Sequence, residues 1–179
     1  MIFGKFQFKF KDRVTAASIL GESLKDKVKS EERRSTVVLG IPRGGVITAD
    51  IVAKKLSCAL DIIIPRKLTD PHNKEHAIGA IMGDGTVYVD QELTNHLQIS
   101  SEYLEREKQH QIEEVKRRTA LYVGVDLDVD NSQNFDNKTV ILVDDGAATG
   151  ATILVAARSI KRRFKLKRLI IVLPVAPKA

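Results

Sequence analysis

Two adjacent carboxylates, Asp144 and Asp145, follow four apolar residues, Val140, Ile141, Leu142 and Val143. After them comes a run of small residues, Gly146, Ala147, Ala148, Thr149 and Gly150, and then an amphipathic stretch opening with Ala151 and Thr152. The pattern predicts a buried strand, a tight turn and a helix N-terminus. A turn without bulky side chains lets backbone N–H groups close around an anion, and the helix dipole favours negative charge there. The acid pair can accept hydrogen bonds from a sugar diol or hold a metal through water. A phosphate cup beside a hydroxyl-and-metal clasp suits a phosphorylated sugar. A second turn of this type is Ile41-Pro42-Arg43-Gly44-Gly45. Its glycines let the backbone approach phosphate oxygens, and the Arg43 guanidinium can clamp phosphate bidentately.

These turns need strands to carry them. Residues 36–41, 61–65, 139–143 and 169–173 are apolar runs almost without polar alternation, the pattern of strands buried on both faces of a parallel sheet. Helical spacing lies between most of them: Ala49, Val52, Ala53 and Leu56 after the first, and Ile153, Ala157, Ile160 and Phe164 after the third. The order predicts an α/β fold with a central, mostly parallel sheet flanked by helices, and ligands beyond the carboxyl ends of its strands. In 1–11, Phe6, Phe8 and Phe10 alternate with polar residues as in a short edge strand. Asp12 is placed to cap a helix whose apolar face uses Val14, Ala17, Leu20, Leu24 and Val28. Residues 66–77 are polar and patternless. Residues 78–82 and 86–89 flank Gly83-Asp84-Gly85 as a hairpin. Residues 102–122 form a long charged helix with Glu102–Arg106, Glu113–Arg117 and Glu114–Arg118 pairs. Tyr103, Leu104, Ile112, Val115 and Tyr122 make its partial apolar stripe; it is expected to pack on a subunit or to fold over the site.

The chain of 179 residues, 43% hydrophobic, suits one folded domain. The expected domain is 1–179, with a core at about 36–176 and a small hood from 1–11 and 78–89. No run is long enough to span a bilayer, the N-terminus lacks a signal-peptide core, and Cys58 is alone, which together lead to the expectation of a cytoplasmic protein. The net charge of +6 can steer a polyanion.

The acidic motif resembles that of the type I phosphoribosyltransferases, and the resemblance spans roughly 37–175 with the motifs in the family's order. The chain is especially similar to a group known as predicted phosphoribosyltransferases, through Gly40-Ile-Pro-Arg-Gly-Gly45, Asn73-Lys-Glu-His-Ala-Ile-Gly-Ala80 and Val143-Asp-Asp-Gly-Ala-Ala-Thr-Gly-Ala151. The resemblance implies Mg²⁺-dependent transfer of a phosphoribosyl group from phosphoribosyl pyrophosphate (PRPP) to a nitrogenous base or related nitrogen nucleophile, with release of pyrophosphate. Asp144 and Asp145 would hold the ribose hydroxyls and, indirectly, the metal. The backbone from Gly146 through Ala147, Ala148 and Thr149 to Gly150, with the Thr149 and Thr152 hydroxyls, would hold the 5-phosphate. Arg43, Gly44 and Gly45, joined by Arg66 and Lys67 before a mobile loop, would face pyrophosphate. Related transferases are usually dimers, so a homodimer is expected. Ala148 stands where transferases of 6-oxopurines carry a carboxylate, which disfavours hypoxanthine, guanine and xanthine as acceptors. Glu75 is the first candidate for a replacement acid or base, and His76 the second. Pro174-Val-Ala-Pro-Lys-Ala179 leaves little to enclose the base, so a shortened chain or a pocket completed by another subunit is expected.

Other chemistries compete. His72, Glu75 and His76 match an inverted zinc-peptidase motif, a remote alternative because Pro71 and Gly79 oppose the long helix it requires. Asp126, Asp128 and Asp130 begin like a calcium loop, but Asn131 and Asn137 occupy the positions of its glycine and bidentate glutamate, which leaves a solvated loop. Arg158, Lys161, Arg162 and Lys165 line one helix face. They read as a wet surface with bases near the helix C-terminus, or alternatively as the RNA-binding stripe of a non-catalytic regulator that senses PRPP or a nucleotide. Cys58 reads as a small hydrophobe, and His96 and His110 as surface residues.

Overall fold

The computed structural model describes residues 10–123 and 134–176. The strand expected in 1–11 and the loop of Asp126, Asp128 and Asp130 fall almost wholly or wholly outside them. Four parallel strands, β1 (Thr36–Gly40), β2 (Ala59–Ile62), β6 (Thr139–Val143) and β7 (Arg168–Val172), form the central sheet in the order β2-β1-β6-β7. Between them run α2 (Gly44–Leu56) and α5 (Ala151–Arg163). The connection β1-α2-β2 moves one way along the sheet, and β6-α5-β7 moves the other. The chain therefore leaves the carboxyl ends of adjacent β1 and β6 in opposite directions, and a crevice opens there.

Alternation along the two central strands sorts their side chains to opposite faces. Val37, Leu39, Val140 and Leu142 pack with Ile153, Val155, Ala156 and Ile160 of α5. Val38, Ile141 and Val143 pack with Ala49, Val52 and Leu56 of α2 and with Leu24 of α1 (Arg13–Leu24). Each fully buried Leu or Ile contributes roughly 1.5–3 kcal/mol. Every residue of β1 and β6 is buried, as expected, but β2 and β7 are edges, and Leu60 and Ile171 are exposed. The run of apolar residues in these edges reflects one covered face, not two.

Asp12 caps α1 by accepting from the Thr15 N–H at 2.7 Å. Val14 departs from the expected apolar face and is 55% exposed. The helix meets α2 through small residues instead, with a side chain added at Gly21 reaching Lys55 at 3.0 Å. Residues Ser30–Ser35 form a 3₁₀ turn between α1 and β1.

A second, antiparallel sheet joins β3 (Arg66–Thr69), β4 (Ala77–Ile81) and β5 (Val87–Val89). The hairpin about Gly83-Asp84-Gly85 is as expected, with Gly85 at φ 79°. β3 is a correction, because patternless residues become a strand. It is too short and too polar to announce itself, and only Leu68 is buried. After the short α3 (Gln91–His96), the long α4 (Ser101–Val123) lies across β3 and β4. Tyr103, Leu104 and Ile112 pack on Leu68, Ile78 and Ile81. Tyr122, assigned to the same stripe from sequence, is instead 48% exposed. Arg118 pairs with Glu114 as expected at 2.8 Å, but Arg117 also chooses Glu114 rather than Glu113. No helix among the described residues is long and apolar enough to cross a membrane.

Asp84 fastens the second sheet to α5. Its carboxylate accepts from Ser159 Oγ at 2.8 Å and pairs with Arg162 at 3.0 Å. Ser159 is itself buried. The variant Asp84→Ala should lose about 2 kcal/mol, since a buried hydroxyl and a guanidinium lose their partner. Urea denaturation followed by circular dichroism checks this, and a midpoint unchanged from wild type would contradict it.

Candidate functional site

Parallel pairing of β1 with β6 sets the two small-residue turns side by side. Gly40 lies opposite Val143, and the ladder continues where the Ile41 N–H donates to the Val143 carbonyl at 3.0 Å. Arg43 stands at the head of α2, exposed, with a cis Pro42–Arg43 peptide before it. The acid pair then lies against the two glycines. A side chain at Gly45 would meet Asp144 Oδ1 at 2.8 Å and the Asp144 Cα at 2.9 Å. One at Gly44 would collide with the Asp145 carboxylate. Glycine is required here because the carboxylates occupy the space.

The two acids have different surroundings. Asp144 is buried, and its Oδ1 accepts from the Asp145 N–H at 2.8 Å. Burial pushes its carboxyl up to about 6, reinforced by the negative charge of Asp145, while the Asp145 N–H and the Lys67 ammonium pull the other way. Lys67 on β3 is thus within electrostatic reach of the acids. Asp145 is more open, and Arg13 from the start of α1 donates to its Oδ2 at 2.6 Å. Nothing in the sequence signals that contact, because it links residues far apart through the packing of α1 on α2.

The loop after the acids ends with Gly150 at φ 77°, which turns the chain into α5. The Ala147 N–H donates to the Val175 carbonyl at 3.0 Å and so is already engaged. Among the described residues, none accepts from the N–H groups of Ala148, Thr149 or Gly150, which leaves them to an anion or solvent. Ala148 and Thr149 are exposed, and Gly146 and Thr152 are half-buried beside them.

Arg43 also lines a cavity of about 450 Å³ with Arg66, Arg117, Arg118, Leu121 and Tyr122. Arg66 Nε donates to Gln111 Oε1 at 2.9 Å, and burial holds its pKa below the usual value. Sequence reasoning reads Arg117 and Arg118 only as surface ion-pair partners. Their adjacency at one end of a highly charged helix is the available signal.

Glu75 is not among the cavity residues. It sits on the exposed β3–β4 turn, at the opposite end of β3 from Arg66 and on the order of 10 Å along the strand. His72 and His76 occupy the same turn, where Asp70 accepts from the His72 N–H at 2.9 Å and faces His76 Nδ1 at 3.6 Å. A turn cannot present the two histidines on one helical face, which corrects the zinc-peptidase alternative. Among the described residues, no group of three or more His, Cys, Asp or Glu side chains is arranged to hold a metal. Two neighbouring carboxylates do fit a Mg²⁺ ion that keeps its waters and takes its remaining ligands from substrate phosphates. Cys58 is half-buried, and His96 and His110 are exposed.

The structure is that of an α/β protein with a crevice at the point where its strand order reverses. The chain belongs to the phosphoribosyl transferase domain family, whose profile matches residues 12–179. Two Mycobacterium tuberculosis proteins that bear a provisional phosphoribosyl transferase name are each 31% identical over 158 residues. The match takes in 88% of this chain and 34% of theirs, so the chain spans about a third of the length of the curated relatives it matches. The crystal structure of a Thermus thermophilus protein is similar at 33% identity and a TM-score of 0.67, covering 94% of this chain and 76% of that one. A purine phosphoribosyltransferase from Pyrococcus horikoshii shares 17% identity at a TM-score of 0.49, over 93% of this chain and 74% of that one.

The raised Asp144 carboxyl has a consequence for stability. Between about pH 4 and pH 6 the folded protein holds a proton that the unfolded chain has released, so stability falls as pH rises through that window. In chelator-treated protein, Asp144→Asn should therefore be more stable than wild type at pH 7.5, by on the order of 1–2 kcal/mol. The difference should vanish below about pH 4, where Asp144 is neutral in both states. Thermal melts across pH 4–8 measure it, and a variant less stable at neutral pH would contradict it.

Proposed function

We propose that the chain is a phosphoribosyl-transferring domain that binds PRPP in the crevice between β1 and β6. The observation that carries this reading is the contact of Asp144 and Asp145 with Gly45 and Gly44 beside the open N–H groups of Ala148, Thr149 and Gly150. Diol acceptors, an anion cup and a glycine turn with Arg43 then lie within one substrate's reach. Asp144 and Asp145 accept hydrogen bonds from the ribose 2- and 3-hydroxyls, Asp145 exchanging its Arg13 partner for substrate. The 146–150 loop and the Thr149 and Thr152 hydroxyls hold the 5-phosphate. Arg43, the Gly44 and Gly45 backbone, Arg66 and Lys67 face the pyrophosphate group.

In this reading a nitrogen nucleophile displaces pyrophosphate from C1, and the ribose gains positive character as the C–O bond breaks. Mg²⁺ bound with the substrate supplies charge neutralisation to the departing pyrophosphate. This chain's residues position the reacting carbon and offset leaving-group charge, the contributions that matter most where little proton transfer is needed. We extend the reading to one transferase-like domain over 1–179 acting as a homodimer in the cytoplasm. The RNA-binding regulator is the less favoured reading, because Arg158 lies over the Tyr88 ring at 5.5 Å and Arg162 is tied to Asp84. Half of the basic stripe is thereby engaged with the second sheet.

Calorimetry with PRPP and Mg²⁺ tests the site. The double variant Asp144→Asn, Asp145→Asn should remain folded and lose PRPP binding; unchanged binding would refute the assignment. Incubation with a panel of bases tests the reaction. Ala148 offers no carboxylate to manage a proton on a 6-oxopurine, so hypoxanthine and guanine should turn over roughly 100-fold or more slowly than the preferred acceptor. Their efficient conversion would show that Ala148 has been misread, and salt-sensitive RNA binding without pyrophosphate release would favour the regulator.

A further inference from the structure

Helix α4 does more than cover the second sheet. Its C-terminal part brings Arg117 and Arg118 to the same cavity as Arg43 from the glycine turn and Arg66 from β3. Four guanidinium groups therefore line about 450 Å³ of open space. Their nearest compensation is Glu114, which Arg117 reaches with two bonds of 2.8 Å and Arg118 with one of 2.8 Å. Among the described residues, Arg66 has only the neutral Gln111 as hydrogen-bond partner, with Glu107 and Glu114 acting at longer range. Its pKa is depressed first by burial and then by the positive charge of Arg118. Like charges gathered in a partly dry site are unfavourable until an anion enters.

Arg43 connects this cavity to the crevice. The cavity shares Arg43 with the crevice, and no residue of 144–150 lines it. A group there that calls for several guanidinium partners carries more charge than one carboxylate or one phosphate monoester. Leu121 and Tyr122, both exposed, line the same cavity.

We propose that Arg117 and Arg118 of α4 bind the diphosphate group of PRPP, leaving Glu114 to do so. The inference rests on the reading of the crevice as a PRPP site and adds to it a clamp from the second sheet's covering helix. Glu114 holds the two side chains in place without substrate, and the diphosphate competes for them. Arg117 is exposed and Arg118 half-buried, and neither belongs to a hydrophobic core, so their replacement leaves the core untouched.

The test is calorimetric titration of the full chain, with Mg²⁺, using PRPP, inorganic pyrophosphate and ribose 5-phosphate. The double variant R117Q/R118Q should weaken PRPP and pyrophosphate by roughly 10- to 100-fold and leave ribose 5-phosphate within about twofold. E114Q, which keeps both arginines and removes their internal partner, should tighten pyrophosphate by about threefold or more. PRPP affinity unchanged in R117Q/R118Q, while the Asp144 and Asp145 double variant loses it, would overturn the clamp and leave the crevice reading intact. Pyrophosphate binding as a second equivalent beside saturating PRPP would also overturn it, since the cavity would then be a separate anion site. If the wild-type chain binds pyrophosphate through Arg117 and Arg118 but does not bind PRPP, the crevice reading falls and takes with it the assignment of the clamp to PRPP.

Discussion

The close contact between two carboxylates and two glycines is the constraint on which the rest depends. Asp144 is held in a space that a β-carbon on Gly45 would fill, and Asp145 lies over Gly44 in the same way. An ionised carboxyl taken out of water is unfavourable by several kcal/mol unless it is paired. Its cost is met here by the surrounding architecture rather than by a single partner. β1 and β6 are wholly buried and locked in register, so the turns that follow them cannot separate. Burial raises the Asp144 carboxyl to about 6, so its charge is disfavoured without a ligand, which fits a site whose partner brings hydroxyls and a cation.

The same register explains why both helix N-termini meet at the crevice. α2 and α5 leave neighbouring strands toward opposite sides of the sheet, and each carries its own hydrophobic face. Their opening residues, Gly44 and Ala151, are small, and both helices point their positive ends toward the carboxyl ends of the paired strands. Packing thus creates the electrostatics. Burying Leu39 and Leu142 on one face and Val38 and Ile141 on the other fixes where the anion cup lies.

Much of this was legible in the sequence because it is local. The strand–turn–helix pattern at 140–152, the glycine turn at 41–45 and the alternation of sheet and helix all rest on neighbouring residues. The hairpin about Asp84 and the long helix over 102–122 are local in the same sense. What sequence missed is what tertiary pairing decides. Arg66, Lys67 and Thr69 form a strand only because β4 pairs with them and α4 covers Leu68. Val14 is exposed although its spacing predicts burial, since α1 turns Ala16, Ala17, Gly21 and Leu24 inward. Arg13 and Arg117 gained partners or neighbours across the fold that no spacing rule reports. Glu75 was attractive as a loop carboxylate, yet the direction of β3 carries it away from Arg66.

The second sheet therefore has a structural role that bears on charge. A net charge of +6 invites a nucleic-acid reading when the chain is seen as a string. In the fold, the bases are divided by what each element must do. Arg158 and Arg162 hold α5 to the hairpin, and Lys167 and Arg168 pair with Glu32. Arg43, Arg66, Arg117 and Arg118 are drawn from three separate elements into one cavity. An extended polyanion needs a continuous basic surface, whereas a compact one needs several cations converging on a small volume. The arrangement has the second character. It arises because β3, carried by the small sheet, lies beside the glycine turn of the large one, while α4 spans the gap above them.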